Sequence, residues 1–221
     1  MGDYVLLVEG KADQEFHQAF CQAVGLTNVS VKVITPSKLA AESGDGWRNL
    51  IDNLPLALKE LIAGNFEKLG IILDADFQAD NSGGVLERYR LVTQPLQAAG
   101  YHIPSSPDFG KGDIFSHADG LPAIGLWIMP DHQNEGMLEL FIETLITAPE
   151  QKQLLHHADQ AINTLPIYLF DRVVKSAKAK IYTWRAWQKQ PSDSLANTFK
   201  HHLLDTNAAP HFSNWLQNVF N

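Results

Sequence analysis

Two short apolar runs that end in carboxylates constrain this chain most strongly. Tyr4–Val8 leads into Glu9, and Lys68–Leu73 leads into Asp74 and Asp76. Short aliphatic runs of this kind are typical of buried parallel strands. Ligand sites in open α/β sheets form outside the carboxyl ends of such strands. If the two strands are neighbours, we expect the three carboxylates to converge on one point.

A divalent cation is the natural partner of such a cluster. Three carboxylates at one point repel one another, and Mg²⁺ prefers oxygen ligands, so the sequence predicts a Mg²⁺ site that Mn²⁺ could also occupy. Aspartates two apart in an extended segment lie on the same side, so Asp74 and Asp76 could share a metal or hold adjacent metals. The alternative is a pair of aspartates that form a turn. Asp13 either joins this site or caps the following helix.

A third acid-tipped run follows later in the chain. Ala123–Met129 leads into Asp131, and the predicted helix Gly136–Ile146 carries Glu139 among apolar residues. A carboxylate in that position is costly to bury unless it is paired or binds a metal, so Asp131 and Glu139 are further candidate metal ligands. The alternative is a solvent-facing acidic stripe formed by Glu135, Glu139 and Glu143.

The order of strand and helix patterns predicts the fold class. Strand and helix signals alternate in the first half, which predicts a Rossmann-like α/β fold with a mostly parallel central sheet flanked by helices. From Pro149 the pattern is mainly helical. We therefore expect an α/β domain over residues 1–148 and a helical region over residues 149–221 that packs on the same core. Pro55 is expected to kink or split the helix Trp47–Ala63, and short strands are expected near His102-Ile103 and Ile114-Phe115.

Composition limits the class of protein. A net charge of −8 argues against a generally basic nucleic-acid coat protein, although local patches decide binding. The single cysteine, Cys21, excludes an intrachain disulfide and favours a reducing compartment. The N-terminus does not match a signal peptide, and no apolar stretch reaches the roughly 18 residues of a membrane span. We therefore expect a cytoplasmic protein that does not enter the membrane.

A basic segment between Arg172 and Lys189 contains no acidic residue. Tyr182, Trp184 and Trp187 interleave with its cations. Cations bind phosphates and aromatic rings stack on bases, which predicts a nucleic-acid-binding surface. The alternative is a solvated helix face with aromatic residues in the core. The candidate nucleic-acid-binding residues are Arg172, Lys175, Lys178, Lys180 and Arg185.

The two acidic motifs resemble a known family. Val8–Asp13 followed by Leu73–Asp76 is similar to the Toprim domain of topoisomerases, primases and OLD-family nucleases, and the likeness covers roughly residues 4–146. Pro130–Glu139 resembles the extra acidic element of the OLD-like and small stand-alone members. Lys178–Trp184 also resembles the stand-alone group.

The resemblance implies a compact Rossmann-like fold and Mg²⁺ at Asp74 and Asp76. It implies that Glu9 is a metal ligand or a general acid/base, and that Asp13 and Glu139 complete a second metal site. Two metals about 4 Å apart stabilise both the attacking and the leaving oxygen of a phosphodiester. The expected function is a Mg²⁺-dependent nuclease acting on DNA or RNA, in which Lys178 or Lys180 stabilises phosphate charge.

Two alternatives remain open from the sequence. Topoisomerase and primase activities are not expected, because no companion domain is evident. A non-catalytic Toprim-like subunit would bind metal and nucleic acid and depend on a protein partner for the missing domains. A nucleotide-sugar transferase would also place an Asp-x-Asp motif after an aliphatic strand.

Overall fold

A five-stranded, mostly parallel sheet lies at the centre of the protein. The computed structural model describes residues 3–34, 46–78, 83–191 and 193–221. In these ranges the sheet contains β1 (Asp3–Val8), β2 (Val29–Val33), β3 (Phe66–Asp74), β4 (Asp113–Phe115) and β5 (Ile124–Met129). The strand order is β2-β1-β3-β5-β4, and β4 pairs antiparallel with β5 while the other pairs are parallel.

Helices cover both faces of the sheet and form the C-terminal region. They are α1 (Lys11–Ala23), α2 (Gly46–Ile62), α3 (Val85–Ala98), α4 (Leu138–Leu145), α5 (Pro149–Asn163), α6 (Arg172–Ala186), α7 (Asn197–Lys200) and α8 (Pro210–Phe220). The predicted α/β class, with its mostly parallel sheet and helical C-terminal region, is confirmed. None of the helices in the described ranges is long and apolar enough to cross a membrane.

Alternating side chains of the strands build two separate cores. Leu6 and Val8 of β1 face one core, where they join residues of α1, α4, α6 and α8. Val5 and Leu7 face the other, which α2 and α3 cover. This division follows from the two-residue period of a strand, since successive side chains point to opposite faces.

Helix α8 packs unusually close to the sheet. Gly70 of β3 lies under Phe220, and Gly125 of β5 lies under Val219 and Trp215, so that a Cβ at either glycine would meet these side chains. Trp215 Nε1 also donates to the carbonyl of Asp113 at 3.1 Å. The C-terminal helix therefore contributes directly to the core beneath the central strands.

Local structure departs from the sequence-based expectation in several places. Pro55 lies inside the single helix α2 and does not split it. The predicted strand at Ile114-Phe115 is present as β4, whereas His102-Ile103 is not a strand and Tyr101 instead forms an isolated bridge with His117. The predicted loops 42–46 and 80–84 lie largely outside the described residues.

Strand register places the acidic motifs at one edge of the sheet. β1 and β3 are parallel neighbours, with Leu7 opposite Ile71, and Asp74 at the end of β3 is opposite Met129 of β5. Parallel strands bring their carboxyl ends to the same edge, so Glu9 and Asp74 emerge side by side.

Candidate metal centre

Glu9 and Asp74 are joined through the backbone of the neighbouring element. Glu9 Oε1 accepts a hydrogen bond from the backbone N–H of Asp74 at 2.7 Å. Asp74 Oδ1 in turn accepts from the N–H of Leu138, the first residue of α4, at 2.9 Å. These two bonds hold β1, β3 and the start of α4 around one point, and each carboxylate keeps a second oxygen for another partner.

Asp13 reaches the same point from the first turn of α1. Its Oδ2 atom lies 3.1 Å from the position that a Cβ on Gly10 would occupy, so glycine at this position leaves room for the carboxylate to fold back. Burial, and to a smaller extent the negative charge of Glu139, raise the pKa of Asp13 to about 6, even though backbone hydrogen bonds lower it. Asp13 is thus part of the acidic cluster and not only a helix-terminal charge.

Glu139 of α4 and Lys178 of α6 complete the acidic cluster. Glu139 is buried in the first turn of α4, and its Oε1 atom lies 3.6 Å from Lys178 Nζ on α6. Partial burial lowers the pKa of Lys178, but the carboxylates of Glu139 and Asp74 outweigh this effect and raise it above its usual value. Lys178 therefore remains a cation beside the acids.

Charge repulsion within the cluster shows in the pKa of its members. Burial, and to a smaller extent the charges of Asp13 and Asp76, raise the pKa of Glu9 to about 8, even though the hydrogen bond from the Asp74 amide lowers it. Burial and the charge of Glu9 hold the pKa of Asp74 well above its usual value. Glu9, Asp13 and Asp74 are only partly buried, so solvent still reaches the cluster.

Asp76 has a different environment. Its backbone adopts φ 56°, so the extended geometry expected for the Asp-x-Asp segment ends here, and its carboxylate pairs with Arg88 at 2.6 Å. Arg88 is fully buried, donates to the carbonyl of Asp74 at 3.1 Å, and stacks over Trp47 with its guanidinium carbon 4.0 Å from the ring centroid. Asp76 still acts electrostatically on Glu9, but a buried cation neutralises it.

Asp131 belongs to a loop and is not drawn into the cluster. Its Oδ1 atom accepts from the N–H groups of Gln133 and Asn134, at 3.1 and 2.7 Å, and its Oδ2 atom accepts from the Asn134 side chain at 2.6 Å. These bonds shape the connection between β5 and α4. Asp131 is also absent from the groups that chiefly raise the pKa of Glu9, Asp13 and Asp74.

The basic residues of α6 have different surroundings. Lys180 pairs with Glu143 at 2.7 Å and approaches Asp159 at 4.0 Å, on the side of the helix away from Lys178. Arg172 stacks over Tyr168, and Arg185 over Tyr182. Lys175 is exposed. Lys178 is thus the predicted basic residue that the structure brings to the acidic cluster.

The donor chemistry of the cluster suits a hard divalent cation, since it consists of carboxylate oxygens that repel one another. As the side chains stand, however, no three His, Cys, Asp or Glu residues in the described ranges form a group that could hold a metal ion. Backbone amides hold one oxygen each of Glu9 and Asp74. A bound ion would require the carboxylates to turn their remaining oxygens towards a common point.

The sequence did not predict two buried polar side chains, Arg88 and His132. Arg88 lies on the core face of α3 at helical spacing from the buried residues Val85 and Val92, and this spacing is a signal that could have identified it. His132 Nδ1 accepts from the N–H of Ile128, so its Nε2–H donates to Asp113 at 2.8 Å. No comparable sequence signal marks this second pair, because Asp113 begins β4 whereas His132 follows β5, 19 residues later.

Comparison with known proteins adds a family. A family model described as "Protein of unknown function (DUF3226)" matches residues 3–221. The chain belongs to this DUF3226 family. No curated protein and no solved structure matches it. The DUF3226 match spans both the α/β part and the helical C-terminal region, so the residues of the acidic cluster and Lys178 of α6 lie within the one matched segment.

Proposed function

We propose that this protein is a Mg²⁺-dependent enzyme that cleaves phosphodiester bonds, a nuclease acting on DNA or RNA. The observation that supports this most is the convergence of Glu9, Asp13, Asp74 and Glu139 with Lys178 at the carboxyl edge of two adjacent parallel strands. Toprim-like chemistry uses this edge, and Mn²⁺ would serve in place of Mg²⁺. The buried, free thiol of Cys21 agrees with a cytoplasmic location for such an enzyme.

Each side chain has a role that its surroundings favour. Glu9, Asp74 and Asp13 would hold the ion, with Glu139 as a further ligand. Asp76 would bind the ion only after leaving its ion pair with Arg88. When bound, Mg²⁺ supplies Lewis-acid polarisation of a phosphoryl oxygen and activation of water. In the metal-free protein the pKa of Glu9 is raised to about 8, so binding of the ion would release a proton from this carboxyl near neutral pH. Lys178 remains charged and offsets negative charge on the phosphate.

Cleavage of labelled DNA and RNA by the purified chain, with and without Mg²⁺ or Mn²⁺, tests this function. We expect Asp74→Asn to reduce metal-dependent cleavage by at least about a hundredfold, a typical loss when a group acting on the transition state is removed. Asp74→Ala combined with Asp76→Ala should abolish it. Asp52→Asn, at an exposed acid of α2, serves as the control and should cleave like the wild type. Unchanged cleavage by the Asp74 variants would refute the proposal.

A second candidate is a metal- and nucleic-acid-binding subunit that cleaves nothing alone and needs a protein partner. The observation that favours it is the neutralisation of Asp76 by the buried Arg88, together with the amide bonds on Glu9 and Asp74. Calorimetric titration with Mn²⁺ separates the two candidates when it is combined with the cleavage assay. Metal binding without cleavage supports the subunit, and cleavage by the purified chain alone excludes it.

A further inference from the structure

One side of α6 carries a regular stripe of cations around an aromatic ring. Lys175, Lys178, Tyr182 and Arg185 follow one another at spacings of three or four residues, so they share a helix face. Lys189 continues the stripe just beyond the helix end. Val174, Ile181 and Trp184 anchor a neighbouring face in the core. Lys175, Lys178 and Lys189 are exposed, which leaves the stripe open to a ligand.

The stripe meets the acidic cluster at Lys178 and continues from there towards the end of α6. Lys178 lies 3.6 Å from Glu139 of the cluster. Arg185 comes two helical turns later, about 10 Å along the axis. Between them, Tyr182 presents its ring, and the guanidinium of Arg185 stacks on it with a carbon-to-centroid distance of 4.4 Å.

At its far end the stripe opens into a cavity of about 400 Å³, a size typical of small-ligand sites. Its lining includes Arg185, Trp187, Lys189 and His201. The Nε atom of Arg185 is buried and has no hydrogen-bond partner among the described residues. A buried donor without an acceptor is costly, so a ligand that supplies an oxygen there is favoured.

The charge of the cavity is positive. Asp193 is the acid in its lining, and His201 Nε2 contacts its Oδ2 atom at 2.9 Å. Arg185 and Lys189 thus face the cavity without a carboxylate partner within the described ranges. Trp187 is 45% exposed, an unusual position for a large aromatic side chain. An exposed indole beside two cations is the pairing that stacks a base and holds a phosphate.

We propose that this stripe and cavity form a track for single-stranded nucleic acid, which anchors a nucleotide at Arg185 and Trp187 and leads the strand past Tyr182 to Lys178. The inference rests on the proposed function, because it supplies that site with its substrate. Unpaired bases can stack on Tyr182 and Trp187, whereas the bases of a duplex are stacked on each other. DNA and RNA strands share the recognised chemistry of phosphate and aromatic base.

Fluorescence anisotropy with labelled single-stranded DNA, single-stranded RNA and duplex DNA of about 12 nucleotides tests the track. EDTA is present, so nothing is cleaved. We expect both single strands to bind tighter than the duplex. Arg185→Gln and Trp187→Ala should each weaken single-strand binding about tenfold, and Arg185→Gln should also reduce the slope of affinity against salt by about 0.7. Lys189→Gln should also weaken single-strand binding, and it changes an exposed position beyond the end of α6, so it leaves the helix undisturbed.

Arg90→Gln is the matched control, because Arg90 is an exposed arginine of α3, and α3 covers the opposite face of the sheet from α6. It should bind within about twofold of the wild type. An equal loss for Arg90→Gln, a preference for duplex, or no binding by the wild type would overturn the track. So would equally tight, Arg185-dependent binding of poly-glutamate, which would instead indicate an acidic protein partner. Asp74→Asn should still bind, so failed cleavage with intact binding rejects the nuclease and retains the track.

Discussion

At the scale of single residues, the buried guanidinium of Arg88 holds Asp74 and Asp76 at the edge of the acidic cluster. It bonds to the carboxylate of Asp76 and the carbonyl of Asp74, and it packs on Trp47. The sequence alone predicted the acids of this site because charged residues that follow apolar strands are conspicuous. The sequence could not show which of these acids is paired, because the partner of Asp76 is Arg88, a cation in α3 that lies 12 residues further along the chain.

Removing Arg88 leaves Asp76 without its cation. We expect Arg88→Gln to lower the free energy of unfolding by about 3 kcal/mol, since breaking a buried ion pair strands the remaining charge. Arg90 lies two residues further along α3, in an exposed pair with Glu87. Arg90→Gln should lower the free energy of unfolding by less than about 1 kcal/mol. Urea unfolding of both variants measures the difference. Equal losses would contradict a structural role for the buried pair.

The raised pKa of Glu9 makes the metal-free protein less stable as the pH rises. The folded state keeps a proton that the unfolded state loses between its usual pKa of 4.5 and the folded value of about 8. Asp13 acts in the same direction between 3.8 and about 6. We expect the free energy of unfolding in EDTA to fall by about 2 kcal/mol from pH 5 to pH 8, after allowing for solvent contact.

Glu9→Gln should flatten this pH profile, because glutamine keeps the acceptor oxygen for the Asp74 amide and cannot ionise. Urea unfolding at several pH values, with Asp52→Asn as the control, provides the measurement. A profile that rises with pH in the wild type, or an unchanged slope in Glu9→Gln, would show that the carboxyl of Glu9 is not the group responsible.

At the scale of elements, the parallel strands and most helices could be predicted because their patterns are local. The apolar runs of β1, β3 and β5 mark strands, and the helical spacing in α2 persists through Pro55. Strand order and the docking of α8 could not be predicted, because they depend on contacts between distant segments. The glycines under α8 have meaning only once Val219 and Phe220 are in place.

Gly125 tests the close docking of α8 on β5. A methyl group at this position would press into Val219 and lie 3.0 Å from Trp215, so we expect Gly125→Ala to cost about 2 kcal/mol of stability. Adding Val219→Ala removes the obstructing methyls and should recover part of the loss. A double-mutant cycle from urea unfolding measures the coupling. Strictly additive losses would contradict the close contact.

At the scale of the whole molecule, one core joins the two ends of the chain. Leu6 and Val8 of β1 share a hydrophobic cluster with Trp184 of α6 and Trp215 of α8. The division of the chain into an α/β domain over residues 1–148 and a helical region over residues 149–221 stays a prediction. Lys178 of α6 nevertheless lies beside acids from the end of β3, from α1 and α4, and from the residue that follows β1, so the C-terminal helices belong to the candidate site as well as to the core.

The central claim is that the acids at the carboxyl edge of β1 and β3 bind a divalent metal ion. Anomalous diffraction from crystals soaked in Mn²⁺ tests it most directly. We expect a peak between the carboxylates of Glu9 and Asp74, within about 2.5 Å of an oxygen from each, and no such peak in crystals of Asp74→Asn. A fully soaked crystal without density there, or with Mn²⁺ bound only elsewhere, would contradict the account.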